Sequence, residues 1–227
     1  MAPVIASAQL LVWSMGNSQS NTQNVANWLS ASGQFGSVTA YDGTALTQTD
    51  LQAYQQVLFF SNSDGGSDPN VGDALAEFAS TGRRLVVATF AYANQGANTV
   101  GGLFITNSIS PVTFNAVTLY STASLGTTDG SAFFTGVNTL SGYYRDSVTA
   151  APGAVVRATW SDGKPLLVTL GNVVAITLFP DNSYSDVTGD YQQLFVNALT
   201  VGMIPEPSTW LLLGLGAALL LLRRRFA

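Results

Sequence analysis

Short, unbroken apolar runs alternate with amphipathic stretches through the first ninety residues. Leu10-Leu11-Val12-Trp13 is followed by a Gly16-Asn17 break, then by Val25, Trp28 and Leu29 on one helical face, with Gly33 closing the segment. Ser37 to Tyr41 reads as a second strand, Asp50 to Tyr54 as a helical turn, and Val57-Leu58-Phe59-Phe60 as a buried strand. Asp68-Pro69 opens a well-marked helix, because Asp caps and Pro suits the first helical position; Val71, Leu75, Phe78 and Ala79 share its face before Gly82. Arg84 to Phe90 is a further strand rich in β-branched residues.

Apolar strands alternating with helices predict a parallel sheet covered on both faces. The fold class expected is therefore α/β, a flavodoxin-like, doubly wound and mainly parallel sheet. Residues 96–150 are rich in Gly, Ser, Thr and Asn and read as an irregular insertion with small strands such as Val112 to Tyr120. Periodicity returns at Ala154 to Trp160, where Asp162-Gly163 turns into Leu166 to Leu170 and Gly171-Asn172 into Val173 to Phe179. That predicts an antiparallel C-terminal meander, followed by a helix whose face carries Tyr191, Leu194, Phe195, Ala198 and Leu199.

The absence of cysteine and histidine removes disulfides, thiol nucleophiles, imidazole bases and Cys- or His-based metal sites. Residues 1–204 carry twelve acids against five bases, with no basic residue before Arg83. An acidic body of this kind argues against nucleic acid as a partner. Ala6-Ser7-Ala8 has the small-x-small look of a signal-peptidase site, without a positive n-region or full apolar run before it. Residues 1–8 are thus either a signal remnant or an ordinary N-terminus.

The apolar run from Thr209 to Leu222 has 14 residues. As a helix it would reach about 21 Å, short of a hydrocarbon core about 30 Å thick. Counting from Pro207 and letting Arg223, Arg224 and Arg225 snorkel, residues 207–222 fit a marginal C-terminal transmembrane helix with the acidic domain outside the cytoplasm. Pro205-Glu206-Pro207, a Leu/Gly-rich stretch and an arginine cluster in this order resemble the PEP-CTERM sorting signal of Gram-negative bacteria. The resemblance covers residues 203–227. It implies export through the general secretory route, transient anchoring in the inner membrane, and processing by an exosortase in organisms that make exopolysaccharide. The expected destination is the cell surface or the extracellular matrix, with exosortase, the secretion machinery, the membrane and exopolysaccharide as partners.

The body, residues 9–202, resembles the class I glutamine-amidotransferase-like superfamily and its ThuA-like branch. The segments carrying this likeness are LLVWSMGN, the stretch from LQAYQQVLFF to RRLVVATF, and NVVAITLFP. In that superfamily a nucleophilic cysteine sits on the turn after the strand matched here by Arg84 to Phe90. This chain has Phe90-Ala91-Tyr92 there and no histidine anywhere, so the amidotransferase triad maps onto no residue.

In such sheets ligands bind beyond the carboxyl ends of the strands. Asn17, Asn62, Asp64, Tyr92, Asn94 and Asp181 lie in the loops expected there and form the candidate ligand-binding set, amides pairing with sugar hydroxyls and the aromatic ring stacking on a sugar. Asp64, Asp68, Asp181 and Asp186 match no EF-hand spacing, and Asp68 is better used as a cap, so no metal is assigned. No cofactor motif is present; Gly65-Gly66 and Gly101-Gly102 fit neither phosphate-binding fingerprint. The expected function is a non-enzymatic, structural or glycan-binding role in a biofilm or exopolysaccharide, with a carboxylate-dependent polysaccharide hydrolase as the alternative.

Overall fold

The computed structural model describes residues 8–16, 19–62, 67–93, 99–182 and 187–202. By compactness the chain divides into a body, Ser7–Val201, and a second unit made of Met1–Ala6 and Gly202–Ala227. The expected helix 207–222 and the sorting motif at Pro205, Glu206, Pro207, Arg223, Arg224 and Arg225 lie outside the described residues. Among the described residues no helix is long and apolar enough to cross a membrane.

In chain order the body runs β1 (Gln9–Met15), α1 (Gln19–Ala31), β2 (Ser37–Asp42), α2 (Gln48–Leu51), β3 (Gln56–Ser61), α3 (Pro69–Ser80) and β4 (Arg84–Ala88). It continues with α4 (Gly102–Thr106), β5 (Val112–Thr128), a 3-10 turn at Ala132–Phe134, and β6 (Leu140–Ala150). The last elements are β7 (Val155–Trp160), β8 (Pro165–Leu170), β9 (Val173–Ile176), β10 (Thr188–Gly189) and α5 (Tyr191–Thr200). The ten strands form one sheet in the order β10-β6-β5-β7-β8-β9-β4-β3-β1-β2. Strands β2, β1, β3, β4 and β9 are mutually parallel, the order 2-1-3-4-5 of a doubly wound sheet. Strand β9 is also the last strand of the antiparallel β7-β8-β9 meander, so one strand joins the two halves.

The unbroken apolar runs follow from this burial. Successive residues of a strand face opposite sides, and here both sides are covered. Leu10, Val12, Leu58, Phe60 and Val86 pack with Val25 and Leu29 of α1 and Leu194 and Phe195 of α5. Leu11, Trp13, Val57, Phe59 and Val87 pack with Val71, Leu75 and Phe78 of α3 on the other side. Each such buried Leu, Val or Phe contributes about 1.5–3 kcal/mol relative to exposure. Asp68 caps α3 by accepting from the Asn70 amide, with Pro69 at the first helical position. Two polar side chains at the amino edge of the sheet satisfy the C-terminal carbonyls of α5: Gln56 donates to Leu199 O and the Arg84 guanidinium to Val201 O.

The sequence reading fails in residues 96–150. What was expected to be irregular is dominated by a long two-stranded ribbon, β5 and β6, paired from Val112↔Ala150 to Ser124↔Ser141. Register shifts between Phe114 and Val117 and between Tyr120 and Ala123 insert extra residues into β5. Each bulge breaks the period-2 alternation by which a strand is recognised. The ribbon joins the rest of the sheet through β7, at Leu125↔Trp160 and Thr128↔Ala158. Gly126 sits at this junction with no room for a side chain, since a Cβ there would lie 2.4 Å from Trp160 O and 2.6 Å from Trp160 C.

The obstacle at Gly126 is backbone, so Gly126→Ala must push β5 and β7 apart. We expect a loss of about 1–3 kcal/mol, the usual range for overpacking, read as a lower urea midpoint with an unchanged slope.

Candidate functional site

The carboxyl ends of β3, β4 and β9 converge where a sheet of this order presents its ligand site. A run of rings covers them. Phe60, at the end of β3, meets Phe179 at 5.5 Å between centroids; Phe179 meets Phe90 at 5.3 Å; and Phe90 meets Tyr144 of the ribbon at 5.5 Å. Tyr144 in turn stands edge-on to Tyr120 at 5.8 Å and to Tyr143 at 5.1 Å. The series begins in the core and ends at Tyr120, which is 54% exposed. The ribbon therefore closes over the strand ends and carries tyrosines out to the surface.

Beneath these rings lies Asp146, fully buried, whose Oδ2 accepts the Tyr92 amide at 3.2 Å. Burial is the main influence on this carboxyl and drives its pKa up to about 7, against the opposing pull of the Tyr92 amide and the neighbouring Thr89 hydroxyl. Neither the Thr89 hydroxyl nor Asp146 Oδ1 makes a well-formed hydrogen bond among the described residues. Burial, then the charge of Asp146, pushes the Tyr92 phenol well above its ordinary range. At Tyr120 the order of causes is burial first, then Tyr144, Asp146 and Tyr143.

The neighbouring residue Arg145 turns to the opposite face of β6, as alternation requires. Its guanidinium is 1% exposed and donates to Ser121 O, Ser121 Oγ and Asp162 Oδ2, while lying 5.2 Å from the Trp160 ring centre. Partial burial pulls the Asp162 pKa up, but hydrogen bonds from Arg145 and the Lys164 amide, with the charges of both residues, bring it below the ordinary carboxylate value. Lys164 Nζ reaches Ser147 Oγ at 3.4 Å. That pair has the residue types of a serine–lysine nucleophile, but at the turn between β7 and β8 it lies apart from the carboxyl ends of the parallel strands.

Of the six loop residues expected to bind ligand, Asn62, Tyr92 and Asp181 are described, and each follows the carboxyl end of its strand, β3, β4 and β9 respectively. Asn62 is half-buried and its amide bonds Met15 O. Tyr92 and Asp181 are buried, so neither side chain faces solvent. Asn17, Asp64 and Asn94 lie outside the described residues. Among the described residues no group of three or more acidic, His or Cys side chains is placed to hold a metal. Gly101-Gly102 opens α4 against α3, where the Leu103 amide donates to Asp73. Sequence reasoning missed Tyr120, Tyr143, Tyr144 and Asp146. A signal was present in Tyr143-Tyr144-Arg145-Asp146, two aromatics and two opposite charges inside a stretch otherwise nearly free of charge.

With this geometry in view, the fold is similar to that of ThuA-like proteins of known structure. A ThuA-like protein from Bacteroides uniformis superposes with a TM-score of 0.61 at 11% identity, covering 84% of this chain and 89% of that one. A ThuA-like protein from Parabacteroides merdae gives 0.58 at 12%, covering 85% and 88%. A cytoplasmic protein from Salmonella typhimurium gives 0.60 at 14%, covering 84% and 98%. At such identities the likeness is one of fold alone. No curated protein matches the sequence significantly. Residues 204–225 match the PEP-CTERM protein-sorting motif, which implies export across the membrane and processing by an exosortase.

The buried carboxyl yields a pH signature. The folded pKa of Asp146 lies above its ordinary 3.8, so the native state keeps a proton that the unfolded chain has already released. This group's contribution to stability is complete below about pH 4 and is lost as pH rises through about 7. Asp146→Asn should flatten thermal melting temperature across that window and raise it at pH 8. A melting profile that still falls between pH 4 and 7 in the variant would assign the titration elsewhere.

Proposed function

We propose that the chain is an exported, exosortase-processed protein of the cell surface or extracellular matrix, with a non-catalytic glycan-binding or structural role in exopolysaccharide. The proposed organisation is a working domain at residues 9–202, after an N-terminal segment 1–8, and a sorting segment at 203–227 whose helix 207–222 holds the protein transiently in the inner membrane. The observation that carries the glycan reading is the series of rings ending at exposed Tyr120. Sugars present apolar C–H faces that stack on aromatic rings, and their hydroxyls pair with neutral amides and hydroxyls. Asn62 follows the carboxyl end of β3, and we assign the supply of such groups to it together with Asn17, Asp64 and Asn94, which in sequence follow β1, β3 and β4. A non-catalytic role is favoured by the missing amidotransferase triad, since a chain without cysteine and histidine has neither the nucleophile nor its base.

One observation favours a second reading, a carboxylate-dependent hydrolase. Asp146 has a pKa of about 7, suited to a general acid. Its near-complete burial under Tyr144 and Tyr120 sets it away from a polymer at the surface, so this reading ranks second.

Two measurements test the proposal. Intact mass of the protein from its host, with and without exosortase, should show loss of the tail only when the exosortase is present. In affinity electrophoresis through gels containing the host exopolysaccharide, Tyr120→Ala should weaken retention by about tenfold, the value of one lost stacking contact. Polysaccharide cleavage by the wild type that disappears in Asp146→Asn would replace the binding role with the hydrolase.

A further inference from the structure

The outer face of the ribbon carries a cavity separate from the ring-covered end of the sheet. It has a volume of about 370 Å³, and its polar lining includes Ser124, Asn138, Thr139, Ser141 and Thr188. Register builds this lining. Ser124 of β5 lies opposite Ser141 of β6, and Ser141 lies opposite Thr188 of β10. Directly opposed residues share a face, so three hydroxyls form one row across three strands, about 4.8 Å apart from strand to strand. The wall formed by Asn138 and Thr139 is fixed from behind, where both amides donate to the Asp190 carboxylate at 2.8 and 2.9 Å.

Two further features bear on what fits there. Ser141 and Tyr143 are two residues apart on β6, opposite the register shift between Tyr120 and Ala123 of β5, and both are half-buried, while Leu140 and Gly142 between and beside them are buried. Tyr143 packs 6.4 Å from Tyr120, which joins the cavity to the exposed end of the ring series. Among the described residues the lining holds no charged side chain, and the Asp190 carboxylate behind it accepts two backbone amides. Rows of hydroxyls at strand spacing, an amide, the apolar Leu125 and Leu140 and an aromatic flank match a polyhydroxyl chain with apolar C–H faces, whose rings recur along its length at a comparable interval. The volume lies at the lower end of the range for small-molecule sites.

Resting on the glycan-binding reading above, we propose that the cavity at Ser124, Ser141 and Thr188 is a subsite for a neutral, extended polysaccharide, which continues past Tyr143 onto Tyr120. Neutral chains are favoured because the body is acidic, with twelve acids against five bases in residues 1–204, and the described lining offers an acidic polymer no cation.

The test is calorimetric titration of the full-length chain in detergent micelles with hexasaccharides of glucose, mannose and galactose, and with a hexamer of uronic acid. We expect at least one neutral hexamer to bind, the uronic acid hexamer to bind at least tenfold more weakly, and Ser141→Trp, which fills the cavity, to weaken the neutral ligand at least tenfold. The double variant Ser141→Ala with Thr188→Val, which removes only hydroxyls, should lose three- to tenfold. Near-UV circular dichroism establishes that each variant is folded. Undiminished binding of a neutral hexamer by both folded cavity variants would overturn this subsite and leave glycan binding standing. Preference for the uronic acid hexamer would overturn the neutral class. Failure of the wild type to bind any of the four would overturn the subsite, and retention by the host polysaccharide in electrophoresis would then decide the broader reading separately.

Discussion

A buried guanidinium ties the β5-β6 ribbon to the meander. Arg145 sits on the ribbon, yet its partners are Ser121 across the hairpin, Asp162 on the turn between β7 and β8, and the face of Trp160. Desolvating such a charge costs several kcal/mol unless its donors are met, and here each contact also fixes position. The ion pair with Asp162 is 2.9 Å long and 36% exposed on the carboxylate side, which lowers the cost of forming it. Because Arg145 ties the ribbon to the meander on one face of β6, the opposite face is pressed onto the ends of the parallel strands. That places Tyr144 against Phe90 and Asp146 against the Tyr92 amide.

The parallel core was legible because its physics is local. Val57 to Phe60 and Leu85 to Ala88 are apolar without interruption, as strands covered on both sides must be, and Asp68-Pro69 states where α3 begins. The turns at Asp162-Gly163 and Gly171-Asn172 likewise define the meander by residue type. The ribbon was not legible, for a reason that can be located. Bulges on either side of the stretch from Val117 to Tyr120 shift its side chains from one face to the other, and the Thr- and Ser-rich sequence then lacks any steady alternation.

Legibility of the site followed the same division. The strand ends were foreseeable from topology, and with them the positions of Asn62, Tyr92 and Asp181. Which side chains are exposed at that end was not, since that depends on the ribbon returning from far along the chain to cover those ends. Tyr92 illustrates this: in sequence it is a loop aromatic, whereas in the folded protein Asp146 lies over its backbone and the ring is enclosed. The tail was readable because a sorting signal is recognised as a linear pattern, independent of the body's tertiary structure.

Strand β9 has a consequence for the order in which this protein acquires its shape. The parallel core needs Val173–Ile176 beside β4, and the whole ribbon and most of the meander are threaded between the two in sequence. Pairings between such distant segments form late, after the entropy of closing a long loop has been met. A nascent chain ending before β9 therefore lacks its central seam and remains without a completed core. For a chain whose tail marks it for export across the membrane, compaction before synthesis is complete is delayed by the wiring of the fold itself.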